Sequence, residues 1–274
     1  SYAVAAFPAL SAASEVEHRS EFTRILSASS RHIILWSIVS MGLIVVLRAH
    51  LVRVILGTGS FDWNATRLTA ALLAILAAGL VAQGLILLFS RALYAVRQSW
   101  RPLFYQLAGG ILTVVLAVAF LALPSAGLPA TLAALLRVSD VPGSGILLVA
   151  FAATVGQLLL ALLSLLALRS VAPGLAAQLL RPVLHGLLAA VIGGVATYGT
   201  LLIMGGIAPL TTLASVFTQG LIAGIVGLAA SSLALLFVHN EEFSDIVNAI
   251  GKLLHSRGTA ETILSPSAEE PAQP

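Results

Sequence analysis

Charged residues and cysteines are the scarcest components of this 274-residue sequence. Only 9% of the residues are charged, whereas 59% are hydrophobic, and the mean hydropathy is +1.03. The sequence contains no cysteine, which excludes disulfide bonds, thiolate metal sites and cysteine nucleophiles. Because a soluble domain normally carries far more charge on its surface, this composition indicates an integral membrane protein.

Acidic side chains are missing from the middle of every long apolar run. The eleven Asp and Glu residues lie in predicted loops, at the N-terminus or in the C-terminal tail. Carboxylates within a membrane are the usual relays for protons and cations, and enzymes that act on lipid phosphates generally need acidic metal ligands. The six histidines also lack a two-histidine ligand spacing. We therefore predict a protein that is not an enzyme, with no catalytic residue, metal site or cofactor.

Six long apolar runs can each cross a bilayer as a helix. Backbone groups in lipid must be hydrogen-bonded within their own segment, and these runs lack the alternation of barrel strands. The sequence therefore predicts an all-α, polytopic helix bundle. The predicted spans are residues 33–53, 66–90, 102–123, 144–168, 182–204 and 211–238. Residues 1–14 are apolar but too short to cross, and we expect them to be the end of a further transmembrane helix.

The 14 basic residues are unequally divided between the two sides of the predicted bundle. Ten lie on one set of connections, namely Arg19, Arg24, Arg31, Arg91, Arg97, Arg101, Arg169, Arg181, Lys252 and Arg257. Four lie on the other set, namely Arg48, Arg53, Arg67 and Arg137. The positive-inside rule therefore predicts that the first set faces the cytoplasm. Because the basic residues are scattered rather than clustered on one face, we expect no nucleic-acid partner.

The remaining segments complete the predicted organisation. Residues 15–32 are expected to form a cytoplasmic loop, and residues 33–238 the six-helix bundle. Apolar residues recur at helical spacing over 239–258, which predicts a cytoplasmic amphipathic helix with Asn240 as its N-cap. Residues 259–274 contain three prolines and little apolar content, which is typical of a disordered tail or linker.

Polar side chains near the second predicted span are the candidates for binding a substrate. The stretch FSRALYAVRQSWRP contains Arg91, Arg97 and Arg101, which either anchor the topology at the cytoplasmic surface or contact a substrate. Gln83 and Gln157 lie near the middle of two spans. Such amides either join helices by hydrogen bonds or line a polar cavity. The sequence leaves both interpretations open for all five residues.

Small residues are dense in the last two predicted spans. They allow helices to approach closely, but the same pattern can also form a groove for a lipid chain. The candidates for such a groove are Gly193, Gly194, Tyr198, Gln219, Gly220 and Gly224.

Three stretches of the sequence resemble one known family. They are AVAAFPALS at residues 3–11, GTGSFDWNATRLTAALL at 57–73 and GLVAQGLILLFSRALYAVRQSWRP at 79–102. In this order they are similar to the MurJ/MviN family of lipid II flippases, within the multidrug, oligosaccharidyl-lipid and polysaccharide exporter superfamily. Beyond residue 102 the similarity is limited to the number and spacing of spans and the amphipathic tail. The resemblance implies a two-lobed protein of fourteen helices, of which this chain would be the C-terminal lobe.

The resemblance also implies a function and partners. Family members translocate lipid II, a peptidoglycan precursor, across the bacterial cytoplasmic membrane by alternating access. The implied partners are lipid II, membrane lipids and the N-terminal lobe of the same protein. The scaffold alternative given below adds cell-wall synthesis proteins that bind the cytoplasmic tail. The last two spans would hold the polyprenyl tail. Two alternatives remain open: transport of another polyprenyl-linked saccharide, and a transport-inactive scaffold for cell-wall synthesis.

The predicted orientation can be tested with single cysteines, because the chain has no native cysteine. We predict that Asp62→Cys reacts with a membrane-impermeant maleimide in intact cells, whereas Gln98→Cys reacts only after permeabilisation. The reverse labelling pattern would show that the orientation is inverted.

Overall fold

The computed structural model describes residues 2–14, 19–57, 62–122, 128–205, 212–240 and 242–244. The regular elements in these ranges are all helical. They are α1 (Tyr2–Ala5), α2 (Phe7–Ala12), α3 (Arg19–Leu56), α4 (Trp63–Ala77), α5 (Leu80–Ala95), α6 (Trp100–Ala122), α7 (Leu128–Leu135), α8 (Ile146–Ala167), α9 (Leu175–Ile203) and α10 (Leu213–Phe237). The predicted amphipathic helix and tail lie almost entirely outside the described residues, so their binding to other proteins stays a prediction.

Five helices are long and apolar enough to cross a membrane, namely α3, α6, α8, α9 and α10. A sixth span results if α4 and α5 are taken together, although they are bent by 40° at a short break. The prediction of an all-α polytopic membrane protein is confirmed. The predicted span 66–90 is not one straight helix, because the break falls within it at residues 78 and 79.

Two helices extend well beyond the predicted spans. Helix α3 has 38 residues, which corresponds to about 57 Å. It begins at Arg19, so most of the loop expected at 15–32 is helical. Helix α9 begins after Gly174, whose φ of 81° favours glycine, and continues through the internal Pro182. Charges mark where the lipid ends, but a helix can continue past that point into water.

Helix α3 is the central element of the bundle. It packs against α4 and α5 on one side and against α9 and α10 on the other. Helix α8 contacts α4 and α5 and carries α6 on its outer surface. The core beside α3 contains Phe22 and Leu26, which are fully buried with Leu88 and Phe89 of α5. Large apolar side chains on α6, α9 and α10 remain exposed, as expected for faces in contact with lipid.

The break between α4 and α5 is stabilised by two contacts from α8. The hydroxyl of Thr154 donates a hydrogen bond to the carbonyl of Ile75, 3.1 Å away. The same carbonyl accepts the backbone N–H of Ala78 at 3.2 Å, so the hydroxyl adds a second bond where the regular helical pattern of α4 stops. Gly79 gives α8 close access, because a Cβ there would lie 2.5 Å from Oε1 of Gln157. The break is therefore a packed feature that brings Gln157 to the start of α5.

The start of α4 is fixed by two aspartates. Asp62 accepts a hydrogen bond from the backbone N–H of Ala65 at 2.7 Å and caps the helix. Arg67 donates to both carboxylate oxygens of Asp140, each at 2.7 Å, and also to the carbonyl of Arg137. The hydrogen bond from Arg67 lowers the pKa of Asp140 below its ordinary value. This interaction links α4 to the connection between α7 and α8.

Three helices end in the same unusual way. Residues Arg97, Arg137 and His239 follow α5, α7 and α10 with positive φ angles of 60°, 58° and 51°. At each end the next residue's N–H bonds back to a carbonyl five residues earlier, as in a Schellman motif. Glycine is the usual residue at this position. Here basic side chains occupy it, close to the last carbonyl groups of each helix.

Helices α9 and α10 make a tight contact through small residues. Gly193 lies against α10, where an added Cβ would overlap Oγ of Ser231 and lie 2.8 Å from the carbonyl of Gly227. The Ser231 hydroxyl donates to the carbonyl of Ala189 across the interface at 3.0 Å. Gly194, by contrast, faces α3, where a Cβ would lie 3.5 Å from Val46. The two neighbouring glycines therefore differ in the space around them.

We predict that Gly193→Ala lowers the melting temperature of the protein, whereas Gly194→Ala leaves it unchanged or slightly raises it. The methyl group at 193 would meet backbone and a buried hydroxyl, and overpacking of this kind costs about 1–3 kcal/mol. At 194 it has room, and alanine is favoured over glycine within a helix. Thermal unfolding of both variants in detergent tests this difference. Equal melting temperatures would contradict the contact between α9 and α10.

Candidate functional site

A polar pocket of about 540 Å³ lies between α2, α5, α6 and α8. Its polar lining consists of Gln83, Ser90, Arg91, Tyr94, Gln106 and Gln157. Polar groups are rare in this chain, so their convergence at one place in an apolar bundle identifies this pocket as the candidate substrate site.

Two of the predicted glutamines meet across this pocket. Nε2 of Gln83 on α5 donates to Oε1 of Gln157 on α8 at 3.1 Å. The bond joins the two helices just beside the break at Gly79. Among the described residues, no protein group hydrogen-bonds to the side-chain oxygen Oε1 of Gln83 or to the side-chain nitrogen Nε2 of Gln157. The pair therefore connects two helices and also leaves polar atoms for a ligand in the pocket.

Arg91 is the charged group of the pocket. Its guanidinium lies 5.9 Å from the ring centroid of Phe7 on α2, in a cation–π arrangement. Its Nε atom is buried and has no hydrogen-bond partner among the described residues. The contact with Phe7 holds the side chain in place without using its N–H donors. Arg91 is therefore the candidate anion-binding residue of this pocket.

The other two predicted arginines lie progressively further from this pocket. Arg97 lines an adjoining pocket of about 710 Å³ that shares Phe7 and Tyr94 with the first. Arg101 is exposed on the first turn of α6 and lines neither pocket. The structure therefore brings Gln83, Gln157 and Arg91 together, places Arg97 next to them and leaves Arg101 outside.

An apolar groove of about 310 Å³ runs between α3 and α10. Gly220 and Gly224 open it, because a Cβ at these positions would lie 3.2 Å from His50 and 3.4 Å from Leu47. Leu221 and Ile225 of α10 also line the groove and are exposed. This surface can accommodate a hydrocarbon chain from the surrounding lipid.

The remaining groove candidates lie elsewhere. Gly193 is buried in the contact between α9 and α10, and Gly194 faces α3. Tyr198 is exposed on α9. Gln219 donates through Nε2 to the carbonyl of Met204 at 3.2 Å, which ties α10 to the end of α9. Of the six predicted residues, only Gly220 and Gly224 line the apolar groove.

Several lining residues were not among the sequence-based site candidates. Phe7 and Tyr94 border both polar pockets, and Ser90 contributes to the first. His50 is buried on the groove side of α3. Phe7 and Tyr94 do fall in the two stretches that carry the family resemblance, whereas nothing in the local sequence indicates that His50 meets α10. Within the described ranges, no group of three or more His, Asp or Glu side chains could hold a metal ion.

The comparison with protein families identifies the chain. The profile described as lipid II flippase MurJ matches residues 1–198, which is well over half of the sequence. The chain belongs to this family. The match includes every helix that lines the polar pocket, whereas α10 and the tail lie beyond it. The family relationship predicted from residues 3–102 is confirmed.

This membership establishes the general class of the protein. The family consists of membrane transporters for a lipid-linked cell-wall precursor rather than enzymes. The apolar helices agree with a multi-pass membrane protein. A comparison with curated proteins gives no match, and neither does a comparison with solved structures.

Proposed function

We propose that this chain forms the C-terminal lobe of a lipid II flippase of the bacterial cytoplasmic membrane, which works by alternating access. The observation that supports this role is the polar pocket, where Arg91 and three glutamines converge among apolar helices. The N-terminal lobe would close the open side of the pocket. Rocking of the two lobes would then expose the headgroup first to one side of the membrane and then to the other.

The need for such a pocket follows from the chemistry of the cargo. The headgroup of lipid II contains a diphosphate and sugars, and these groups cannot cross about 30 Å of hydrocarbon without partners. The polyprenyl tail can remain in the lipid throughout. The transporter must therefore supply hydrogen bonds and positive charge to the headgroup alone.

The pocket residues suit these demands. Arg91 presents a planar guanidinium that can donate two parallel hydrogen bonds to a phosphate. The amide groups of Gln83, Gln106 and Gln157 can bind hydroxyl and amide groups of the saccharide. Arg97, in the adjoining pocket, would attract the diphosphate from the cytoplasmic side before it reaches Arg91. Arg101 has no direct role in this scheme and would act as a topological anchor.

The apolar groove gives the tail a place outside the headgroup pocket. We place the polyprenyl chain along α3 and α10, where Gly220 and Gly224 leave room for it. Gly193 would then serve the packing of α9 against α10. Membrane lipids would cover the exposed apolar faces of α6, α9 and α10.

The pair Arg91→Lys and Arg101→Lys tests this function in the complete protein. Both variants keep the charge, and so the topology signal, but lysine cannot make the bidentate contact. We predict that Arg91→Lys slows lipid II translocation about tenfold or more, because a hydrogen bond to a charged group contributes about 1.5–3 kcal/mol. Arg101→Lys should translocate at the normal rate. The measurement is lipid II transport in vesicles containing equal amounts of each variant.

Growth of a flippase-depleted strain that carries each variant provides an independent readout. Normal transport and growth with Arg91→Lys would contradict the assignment of Arg91 to the headgroup. Equal losses in both variants would also contradict it, because the effect would not be specific to the residue in the pocket.

A further inference from the structure

A third polar pocket lies where α3, α9 and α10 meet, at the ends of these helices that we predict to face the cytoplasm. It has a volume of about 250 Å³, and its charged or titratable lining consists of Arg31, Arg181, His185, His239 and Glu242. It shares no residue with the pocket around Arg91. Among the described residues that line it, two arginines and two histidines face a single carboxylate.

The hydrogen bonds around Asn240 determine which ring nitrogen of neutral His185 carries the proton. Oδ1 of Asn240 accepts the backbone N–H of Phe243 at 2.9 Å, in the geometry of an N-cap. The amide nitrogen of Asn240 is then the atom that lies 3.1 Å from Nδ1 of His185 and donates to it. Since Nδ1 accepts this bond, the ring proton of neutral His185 is on Nε2. That N–H is the only donor of the neutral ring, and Asn240 does not use it.

His239 is held in a backbone conformation that favours glycine. It follows α10 with a φ of 51°, in the Schellman motif described above. Its Nδ1 lies 3.1 Å from the carbonyl of Phe237, which can only accept, so Nδ1 carries a proton. The imidazole therefore caps a carbonyl at the end of α10 while it lines the pocket.

Arg31 and Arg181 differ in their partners and in their exposure. Arg31 is paired with Glu242, 3.0 Å from Nε to Oε1, and the Glu242 side chain is only 7% exposed. Arg181 is exposed at the pocket edge, and within the described part of the chain no carboxylate pairs with it. Glu241 and Asp245 lie outside the described residues. Arg31 therefore holds the structure together, whereas Arg181 is placed to bind a ligand.

The level of the pocket in the membrane defines its surroundings. Arg31 lies two residues before the charge-free stretch from Ile33 to Leu47, so the pocket is at the depth of the lipid headgroups. Beside it, Leu184 of α9 and Phe237 of α10 are 55% and 82% exposed. A ligand at this position would have a polar group in the pocket and apolar chains against these two helices.

We propose that this pocket binds the phosphate of an anionic phospholipid of the cytoplasmic leaflet. Arg181 supplies a bidentate contact, and Nε2–H of His185 supplies a further donor. The imidazole ring of His239 forms part of the pocket wall against which the phosphate would lie. Basic pockets between transmembrane helices on the cytoplasmic side are suited to anionic headgroups. The bound lipid would fasten the first residues of the C-terminal segment to α3, α9 and α10, whatever cargo the protein transports.

The experiment measures the melting temperature of the complete, detergent-purified protein during titration with phosphatidylglycerol. Phosphatidylcholine and inorganic phosphate are titrated in parallel to separate an anionic lipid from any lipid and from free phosphate. The variants are Arg181→Gln and His239→Gly, with Arg101→Gln as the control because Arg101 is exposed and outside this pocket.

We expect phosphatidylglycerol to stabilise the wild-type protein and Arg101→Gln at the same concentrations. Arg181→Gln should need an about tenfold higher phosphatidylglycerol concentration for the same stabilisation, because one charge-assisted contact is lost. His239→Gly should raise the melting temperature without lipid, since glycine relaxes the left-handed position, yet it should also weaken the response to phosphatidylglycerol. A structural role for His239 alone would not produce these opposite changes.

Three results would overturn the proposal. The first is equal stabilisation by phosphatidylcholine and phosphatidylglycerol. The second is the same stabilisation by inorganic phosphate, which would indicate a site for the free ion. The third is an unchanged response in His239→Gly, which remains decisive even if Arg181→Gln does not fold.

Discussion

The requirement that every backbone polar group be satisfied inside the lipid governs this structure. Most of the chain meets it with uninterrupted helices. At the break between α4 and α5 the N–H groups of Ala78 and Gly79 bond to the carbonyls of Ile75 and Leu76. Helix α8 adds a hydrogen bond from the Thr154 hydroxyl to the same Ile75 carbonyl. The same turn of α8 places Gln157 over Gly79 and against Gln83. The polar pocket therefore adjoins the one described place where a predicted span departs from regular helix.

This arrangement links the architecture to the proposed transport. Polar side chains that stabilise an interrupted helix also have hydrogen-bonding capacity left for a headgroup. The neighbouring cation, Arg91, is held by an aromatic ring rather than by a carboxylate, so its charge remains available. A carboxylate partner would neutralise it and would compete with a phosphate. The shortage of acidic residues in the spans is thus consistent with binding an anionic cargo.

The sequence predicted the class of fold well because hydropathy and charge report directly on contact with lipid. It was less informative about helix ends: α3 continues outward to Arg19, since a helix needs no lipid to persist. The break at Gly79 was missed because a glycine within an apolar run is compatible with a straight helix as well.

The candidate site was predictable in part for similar reasons. Gln83, Gln157 and Arg91 stood out as rare polar groups near or within spans, but their meeting point depends on helix packing between distant segments. Gly193 and Gly224 both lie in apolar stretches rich in small residues, and only the packing shows that one lies in a contact and the other beside a groove. The sequence around His50 does not indicate that this residue lines the groove, because its burial depends on contact with α10.

Site-specific photocrosslinking tests the central claim, that the polar pocket holds the headgroup of a lipid-linked saccharide. A photoreactive amino acid would replace Gln106, which lines the pocket, or Val114, which is exposed on α6 outside it. In cells that depend on the complete protein, irradiation should link lipid II to position 106 and only phospholipid to position 114. An active protein that gives no lipid II adduct at position 106, or equal adducts at both positions, would contradict the account.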